Sequence, residues 1–463
     1  MNPAARSALI QAAGAANYSD GAEDRLLYSY DATGKSYPPE AVVRAVGVEQ
    51  ISRVLATASA HRVPVVPRGA GSGQSGGSLP VDGGLVLNLA NLNRIIRIDP
   101  ADQVAVVQPG VITADLQRAA EAQGMFYPPD PASVEFCTVG GNAAENSGGL
   151  RAVKYGVTRD YVLALQAVLP DGRVLRTGRS TMKTVVGYDL TRLLVGSEGT
   201  LAVMTELTLR LLPKPEAKAT VNAMFHDLEA AAQAVQAVLM SGIIPAALEF
   251  IDSQSLGAVN AHAGLGLPPE VQAMVLIDVD GAPEVVAGQG RRLVGVLEEH
   301  GGHQVRLALN EAEAAELWRV RRSMGPAMYN LAPDKLNEDV VVPLGRLAET
   351  IRAIHAIGKK RGVLIPTFGH AGDGNLHVNV MYDAADPEQN RQAHQAVTDV
   401  FAQVLKVGGS LSGEHGVGNA KLGYVGAELD PVAMELMRGI KRLFDPAGIL
   451  NPHKAVPSPE MLA

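Results

Sequence analysis

The sequence predicts an α+β protein of two parts, on three observations. Up to about residue 215, helix-like and strand-like segments alternate around three glycine-dense loops. From Ala219 to Leu411, strands and helices repeat in a split βαβ pattern. From Ser412 the chain ends in a glycine-bracketed turn and one more helix, Met434 to Phe444, punctuated by Pro431, Pro446 and Gly448. A length of 463 residues with 47% hydrophobic content is enough for two or three full cores. A net charge of -8 and the lack of a run of five basic residues argue against nucleic acid as a partner. No run of eighteen apolar residues occurs, and Met1 to Gly14 lacks the apolar core of a signal peptide. A cytoplasmic protein without a transmembrane segment is expected, with docking at the inner face of a membrane left open. The single cysteine, Cys137, excludes an internal disulfide and puts any iron–sulfur or haem carrier on another chain.

In chain order, Val48 to His61 has helical periodicity and runs into the short apolar strand Val63 to Val66. The strand delivers the chain to Pro67-Arg68-Gly69-Ala70-Gly71-Ser72-Gly73-Gln74-Ser75-Gly76-Gly77. Such a loop can aim successive backbone N–H groups at one anion, with Arg68 close by. Gly71, Gly73 and Gly76 match the spacing of a dinucleotide fingerprint, but a Rossmann loop must open a helix. Here Ser78 to Gly84 leads instead into the strand Leu85 to Asn88, so the nest reading is preferred. A second glycine loop, Thr138 to Gly149, follows Pro128 to Ser133, and a third, Gly196 to Val203, leads into the strand Thr205 to Leu211. Between them, Ala164–Val168 and Val174–Thr177 form a hairpin turned at Pro170-Asp171-Gly172. Three glycine loops imply one long ligand approached by backbone rather than side chains.

The second part reads as strands Val221–Phe225, Ala247–Ile251 and Met274–Asp278, with helices Leu228–Met240, Pro283–Glu299 and Glu311–Asn330. The last helix carries Trp318-Arg319-Val320-Arg321-Arg322, the densest basic cluster of this part, and Lys335 follows it. Arginine suits bidentate capture of a carboxylate, although a solvated basic face is an equal reading. Next come Pro366 to Val380 and Ser412 to Gly418. The runs before His370 and after His377 are strand-like, and Gly372-Asp373-Gly374-Asn375 suits a tight turn, so a hairpin would bring the two imidazoles together. With Glu414 they make a two-histidine, one-carboxylate set suited to zinc, or to manganese or iron, with positions open for substrate.

On Pro67 to Gly77, Thr138 to Gly149, Gly196 to Val203, Gly369 to His377, Ser412 to Gly418 and Phe444 to Pro452, the chain resembles the vanillyl-alcohol-oxidase, or p-cresol methylhydroxylase, type of FAD proteins. Within that family it looks like the branch of D-lactate dehydrogenases, the flavin subunit of glycolate oxidase and D-2-hydroxyglutarate dehydrogenases. The resemblance implies a flavin domain of residues 1–215 joined by a C-terminal segment, 412–463, and a cap domain, 216–411, over the isoalloxazine. It implies one non-covalent FAD, since the first loop has no histidine for a covalent link and Cys137 reads as a small buried residue. Pro67, Arg68, Gly69, Ala70, Gly71, Ser72, Gly73, Ser75, Gly76 and Gly77 would cradle the pyrophosphate. Asp130, Ser133, Thr138, Gly140, Gly141, Asn142, Asn146, Gly148, Gly149, Glu198, Gly199, Thr200, Leu201, Val203 and Asn451 would line the rest.

The same resemblance implies oxidation of a small D-2-hydroxy acid, with D-lactate or glycolate foremost and D-2-hydroxyglutarate the alternative. Arg321 falls at the arginine of the branch's Trp-x-x-Arg pattern and would clamp the substrate carboxylate. Lys335 would assist, although its spacing to Asp339 departs from that of some 2-hydroxyglutarate enzymes. His415, beside Glu414, is the natural general base. The electron acceptor stays open among a quinone, a cytochrome, an electron-transferring flavoprotein and an iron–sulfur subunit, and a homodimer is compatible. Two readings of other classes are a metal-dependent hydrolase, which leaves the glycine loops unexplained, and a non-catalytic flavin-binding partner, which would lack the metal motif.

Overall fold

The computed structural model describes residues 1–461, which divide into two compact units. The first comprises Met1–Gly149, Gly156–Lys214 and the chain from Glu414 onward; the second comprises Leu150–Tyr155 and Pro215–Gly413.

In the first unit a four-stranded sheet runs in the order Tyr18–Ser19, Ala41–Arg44, Leu85–Asn88, Val65–Arg68, and its last three strands are parallel. Helix Val48–His61 buries Ile51, Val54, Leu55 and Ala58, an i, i+3, i+4, i+7 stripe, in the core that also takes Leu9 of helix Pro3–Ala13. The helix stops at Arg62, in the left-handed region at φ 53°. The strand expected at Val63–Val66 begins at Val65 because the Val63 N–H is spent on Ala58 O at the helix end. The unit also holds a five-stranded antiparallel sheet in the order Ile95–Asp99, Val104–Val107, Val203–Arg210, Val162–Val168, Val174–Gly178, and a two-stranded pair of Met125–Phe126 with Leu212–Pro213.

The C-terminal helix Pro431–Phe444 is capped by Asp430 and ends on an ionic clasp built on buried Asp445. Lys441 Nζ donates to the Asp445 carboxylate and to the carbonyls of Thr200 and Leu450, and the same carboxylate accepts from the Ile449 and Leu450 N–H groups. Burial holds the Lys441 pKa below its ordinary value in spite of Asp445. Leu450 thereby sits beside Val65 and extends the first sheet by one bridge.

The second unit is built on a seven-stranded sheet, wholly antiparallel, in the order His303–Ala308, Ala217–Phe225, Ala273–Gly281, Ala247–Asp252, Thr367–His370, Asn375–Tyr382, Asp334–Val341. Ala217–Phe225 and Ala247–Asp252 are parallel to each other with Ala273–Gly281 between them, which is the split βαβ arrangement. Helices Leu228–Met240 and Pro283–Glu299 have the bounds that periodicity predicts.

The single helix expected over Glu311–Asn330 is instead three short ones, Glu311–Leu317, Arg319–Arg322 and Met324–Met328. Pro326 has no N–H to continue an i to i−4 ladder. Trp318, at the first junction, is anchored across the sheet by its indole N–H, which donates to Asp278 Oδ1 at 3.0 Å.

Replacing Asp445 by alanine should destabilise the first unit by about 1–3 kcal/mol, since it leaves two buried backbone N–H groups and a partly buried ammonium without their carboxylate. Asp445→Asn, which keeps an acceptor, should cost less; chemical denaturation of the three proteins measures both.

Candidate active site

In the first unit the three glycine loops converge on one cleft of about 1230 Å³, its open mouth included. Pro67 to Gly73 and Gly77 line it from the first loop, Thr138, Gly140 to Asn142 and Gly148 from the second, and Glu198, Gly199 and Val203 from the third, with Ser133 beside them. Glu414 and His415 reach the same cleft from the C-terminal segment. The walls are glycine out of necessity. A Cβ on Gly69 would come within 2.2 Å of Thr138 Oγ1, and one on Gly140 within 2.4 Å of Pro109 Cβ. Gly148 leaves room for Glu414, whose Oε2 would lie 2.7 Å from a Cβ placed there. Backbone walls of this kind, with Thr138 capping the helix Val139–Glu145, fit a long anionic ligand approached through N–H groups.

The expected lining needs correction at several residues. Arg68 lines the cleft with its guanidinium already engaged: buried, it donates to Tyr30 O at 2.7 Å and Ser78 Oγ at 3.4 Å and lies 5.8 Å from the Tyr28 ring centroid. Ser75, Gly76, Asp130, Asn146, Gly149, Thr200, Leu201 and Asn451 do not line the cleft but brace its loops. Ser75 O accepts from the N–H groups of Asn419 and Ala420, and Asn451 Nδ2 donates to Gly77 O and Glu198 O. Asn146 ends its helix at φ 58° and Thr200 Oγ1 donates to Ser197 O. Gly149 leaves room for Asp130 O, as Gly76 does for the Asn419 side chain, and Leu201 is buried. Gln74, within the first loop, also lines the cleft, as do Ser78, Leu89, Pro109 and Met204, which showed no signal in the sequence.

Two carboxyl groups, those of Glu145 and Glu198, belong to residues that line this cleft. Glu198 accepts from the N–H groups of Val417 and Gly418, both at 2.7 Å. Burial raises its pKa in spite of those bonds. Burial, and after it the charge of Glu198, pushes Glu145 well above the ordinary carboxylate range. Lys454, buried with its Nζ on Leu79 O, is lowered to about 8 by that burial.

In the second unit the hairpin Thr367–His370 and Asn375–Tyr382 pairs His370 with Asn375 and Phe368 with His377. It sets the two Nε2 atoms 3.3 Å apart, with the rings nearly perpendicular at 87°. Both imidazoles are buried. His370 Nδ1 meets Glu249 Oε1 at 2.5 Å, and Glu249 Oε2 accepts from Arg321 Nε at 2.5 Å. Burial works to raise the Glu249 pKa, but His370 and Arg321 together outweigh it and hold the carboxyl below its ordinary value. Two imidazole nitrogens on one tetrahedral ion at about 2.0–2.1 Å would stand about 3.3–3.4 Å apart, so the pair fits a first-row divalent metal.

Arg321 lies over the Phe368 ring at 4.8 Å, while Arg319 and Arg322 are exposed. Lys335 is half-buried over the Tyr329 ring at 5.3 Å, and burial lowers its pKa. Buried Asp339 takes the Asn375 amide, Ser412 Oγ at 3.2 Å and the Gly413 N–H at 2.8 Å, fixing the chain up to the residue before Glu414. Sequence reasoning missed Glu249 and left Asp339 without a role. The signal for Glu249 was an acid in the apolar run Ala247 to Ile251, which cannot be buried without partners.

The raised carboxyl pKa of Glu145 has a consequence for stability. In the unfolded chain this group ionises near 4.5, whereas the folded protein keeps its proton to higher pH, so stability falls as pH rises through that interval. In flavin-loaded protein, Glu145→Gln should therefore melt above wild type at pH 7–8, with the gap closing below about pH 4; thermal melts across that range measure it.

A family model described as FAD linked oxidases, C-terminal domain, matches residues 214–455, and one described as FAD binding domain matches residues 39–178. The glycolate oxidase subunit GlcD of Bacillus subtilis (strain 168) is 44% identical over 447 residues, 96% of this chain and 95% of its own. A D-lactate dehydrogenase of Anaerostipes hadrus is 37% identical over 427 residues, 90% of this chain and 89% of its own. The crystal structure of p-cresol methylhydroxylase with substrate bound shares the fold at a TM-score of 0.83 and 19% identity, covering 98% of this chain and 96% of that one. With its glycine-walled cleft and its match to the family over more than half its length, the chain belongs to the FAD-linked oxidases and is an FAD-dependent oxidoreductase.

Proposed function

We propose that the enzyme oxidises a small D-2-hydroxy acid to the 2-oxo acid, with D-lactate or glycolate as substrate and D-2-hydroxyglutarate the alternative. The observation that carries this reading is the buried imidazole pair with its Nε2 atoms 3.3 Å apart and the Arg321 guanidinium tied to the same network through Glu249. The names of the two relatives support it. Membership of an FAD-linked family leaves no ground for the hydrolase reading.

In this proposal His370, His377 and Glu414 hold the divalent ion, zinc first. When bound, the flavin supplies a hydride acceptor and the ion supplies a lowered hydroxyl pKa. His415 takes the hydroxyl proton, imidazole being the side chain most often used as a general base. Arg321 keeps Nε on Glu249 and turns its two Nη groups to the substrate carboxylate, with Lys335 as a second cation. The glycine loops orient the cofactor through backbone N–H groups. Electrons leave to an acceptor outside the chain, either a quinone, a cytochrome, an electron-transferring flavoprotein or an iron–sulfur subunit. No described helix is long and apolar enough to cross a membrane. A cytoplasmic enzyme, at the inner membrane face when its acceptor is there, alone as a homodimer or within a complex, belongs to the same proposal.

Anaerobic mixing tests the substrate class: D-lactate or glycolate should bleach the flavin much faster than L-lactate, and equal rates for the two lactate enantiomers would defeat the reading. Acid precipitation should release the yellow colour into the supernatant.

Alanine at His370, His377 or Glu414 should remove most of the metal and turnover with FAD retained, as elemental analysis and absorbance would show. His415→Ala should keep both groups and slow flavin reduction by about 10²-fold or more. Full activity in a protein stripped of divalent ions would sink the metal mechanism.

A further inference from the structure

The fourth strand of the second unit's sheet presents a carboxylate that is wholly buried and has a different partner on each oxygen. Glu249 is 0% exposed, in a strand whose six residues are all buried. Its backbone pairs directly with His370 across the sheet, so the register itself brings the carboxylate to the imidazole. Oε1 lies 2.5 Å from His370 Nδ1 and Oε2 accepts from Arg321 Nε at 2.5 Å.

We infer that Glu249 is a positioning residue that sets two groups at once: it fixes the Nδ1–H tautomer of His370, which puts the ring's lone pair on Nε2, the atom that would bind a divalent ion, and it aims the Arg321 guanidinium at the substrate carboxylate. The inference rests on the metal and substrate reading above. A carboxylate that accepts the far N–H of a ligating imidazole fixes ring orientation and raises ligand basicity, and its loss costs about 10–100-fold in metal affinity. Arg321 gains in the same way. With Nε held by Glu249 and Cζ 4.8 Å from the Phe368 ring centroid, the two Nη groups form a preset fork instead of a mobile cation. The ion site and the carboxylate clamp are thereby linked through one side chain, so damage to Glu249 should show on both.

The test uses FAD-loaded protein stripped of metal and titrated with Zn²⁺, with Glu249→Gln as the main variant. Glu249→Gln should bind Zn²⁺ about 10–100-fold more weakly than wild type. Its FAD content and far-ultraviolet circular dichroism should be unchanged. At saturating Zn²⁺ its kcat should recover while the KM for the hydroxy acid stays raised, a split that a merely structural role would not produce. Glu249→Asp keeps the anion but draws it back by one methylene, and should weaken Zn²⁺ binding by a smaller factor; it serves as the decisive variant if the glutamine form does not fold. Zn²⁺ affinity and KM within twofold of wild type in the folded variants would overturn the role of Glu249 and leave the ligand set standing. A wild-type protein that binds no Zn²⁺ would overturn both.

Discussion

A carboxylate cannot be buried in an apolar strand without partners, and the chemistry of the second unit is organised around the one at Glu249. Removing it from water is repaid by charge-assisted bonds on both oxygens. Those bonds require a particular strand order. Ala247–Asp252 must lie next to Thr367–His370, and the three-helix segment after Ala308 must place Arg321 over the sheet. The indole of Trp318 on Asp278 fixes that segment from the other side of the arginine cluster. The imidazole pair and the Arg321 guanidinium are thus tied together by one buried charge that has found its partners.

The first unit meets a different constraint, the close approach of backbone to a ligand. Its loops must be nearly free of side chains where they face the cleft, yet must hold one conformation. Glycine meets the first demand and costs conformational entropy on the second. The structure offsets that cost with side chains outside the cleft: Asn451 ties the first loop to the third, Ser75 O anchors the C-terminal segment, and Arg68 ties the first loop to Tyr30 and Ser78. Glu198 and Asn451 both adopt positive φ, at 51° and 42°, a strained setting for residues with a Cβ. In each case the side chain is held by backbone groups or holds them, so the neighbours fix the strained conformation.

Asp339 and Glu198 do the same work at successive points of the chain. Asp339 holds Ser412 and Gly413 within the second unit, and Glu198 holds Val417 and Gly418 within the first. The residues between them include Glu414 and His415, the two to which the proposed mechanism gives the ion and the proton. Short functional segments bounded on both sides by buried carboxylates keep their geometry without a hydrophobic core of their own.

Much of this was legible locally. The stripe Ile51, Val54, Leu55 and Ala58 encodes its helix, and Gly372 to Asn375 between two strand-like runs encodes the hairpin that joins His370 to His377. These patterns depend on residues a few positions apart, where periodicity and turn chemistry act. The glycine loops announced a backbone-lined ligand for the same reason. What the sequence could not assign were partners far apart in the chain. Glu249 stands 121 residues from His370 and 72 from Arg321, and Glu198 stands 219 from Val417. Arg68 looked like a phosphate ligand because it adjoins a nest, and only the folded position of Tyr30 and Ser78 shows its charge already engaged. Local pattern decides which elements form and which face they bury. The order in which strands are laid side by side decides which buried charges meet, and that order exists only in the tertiary structure.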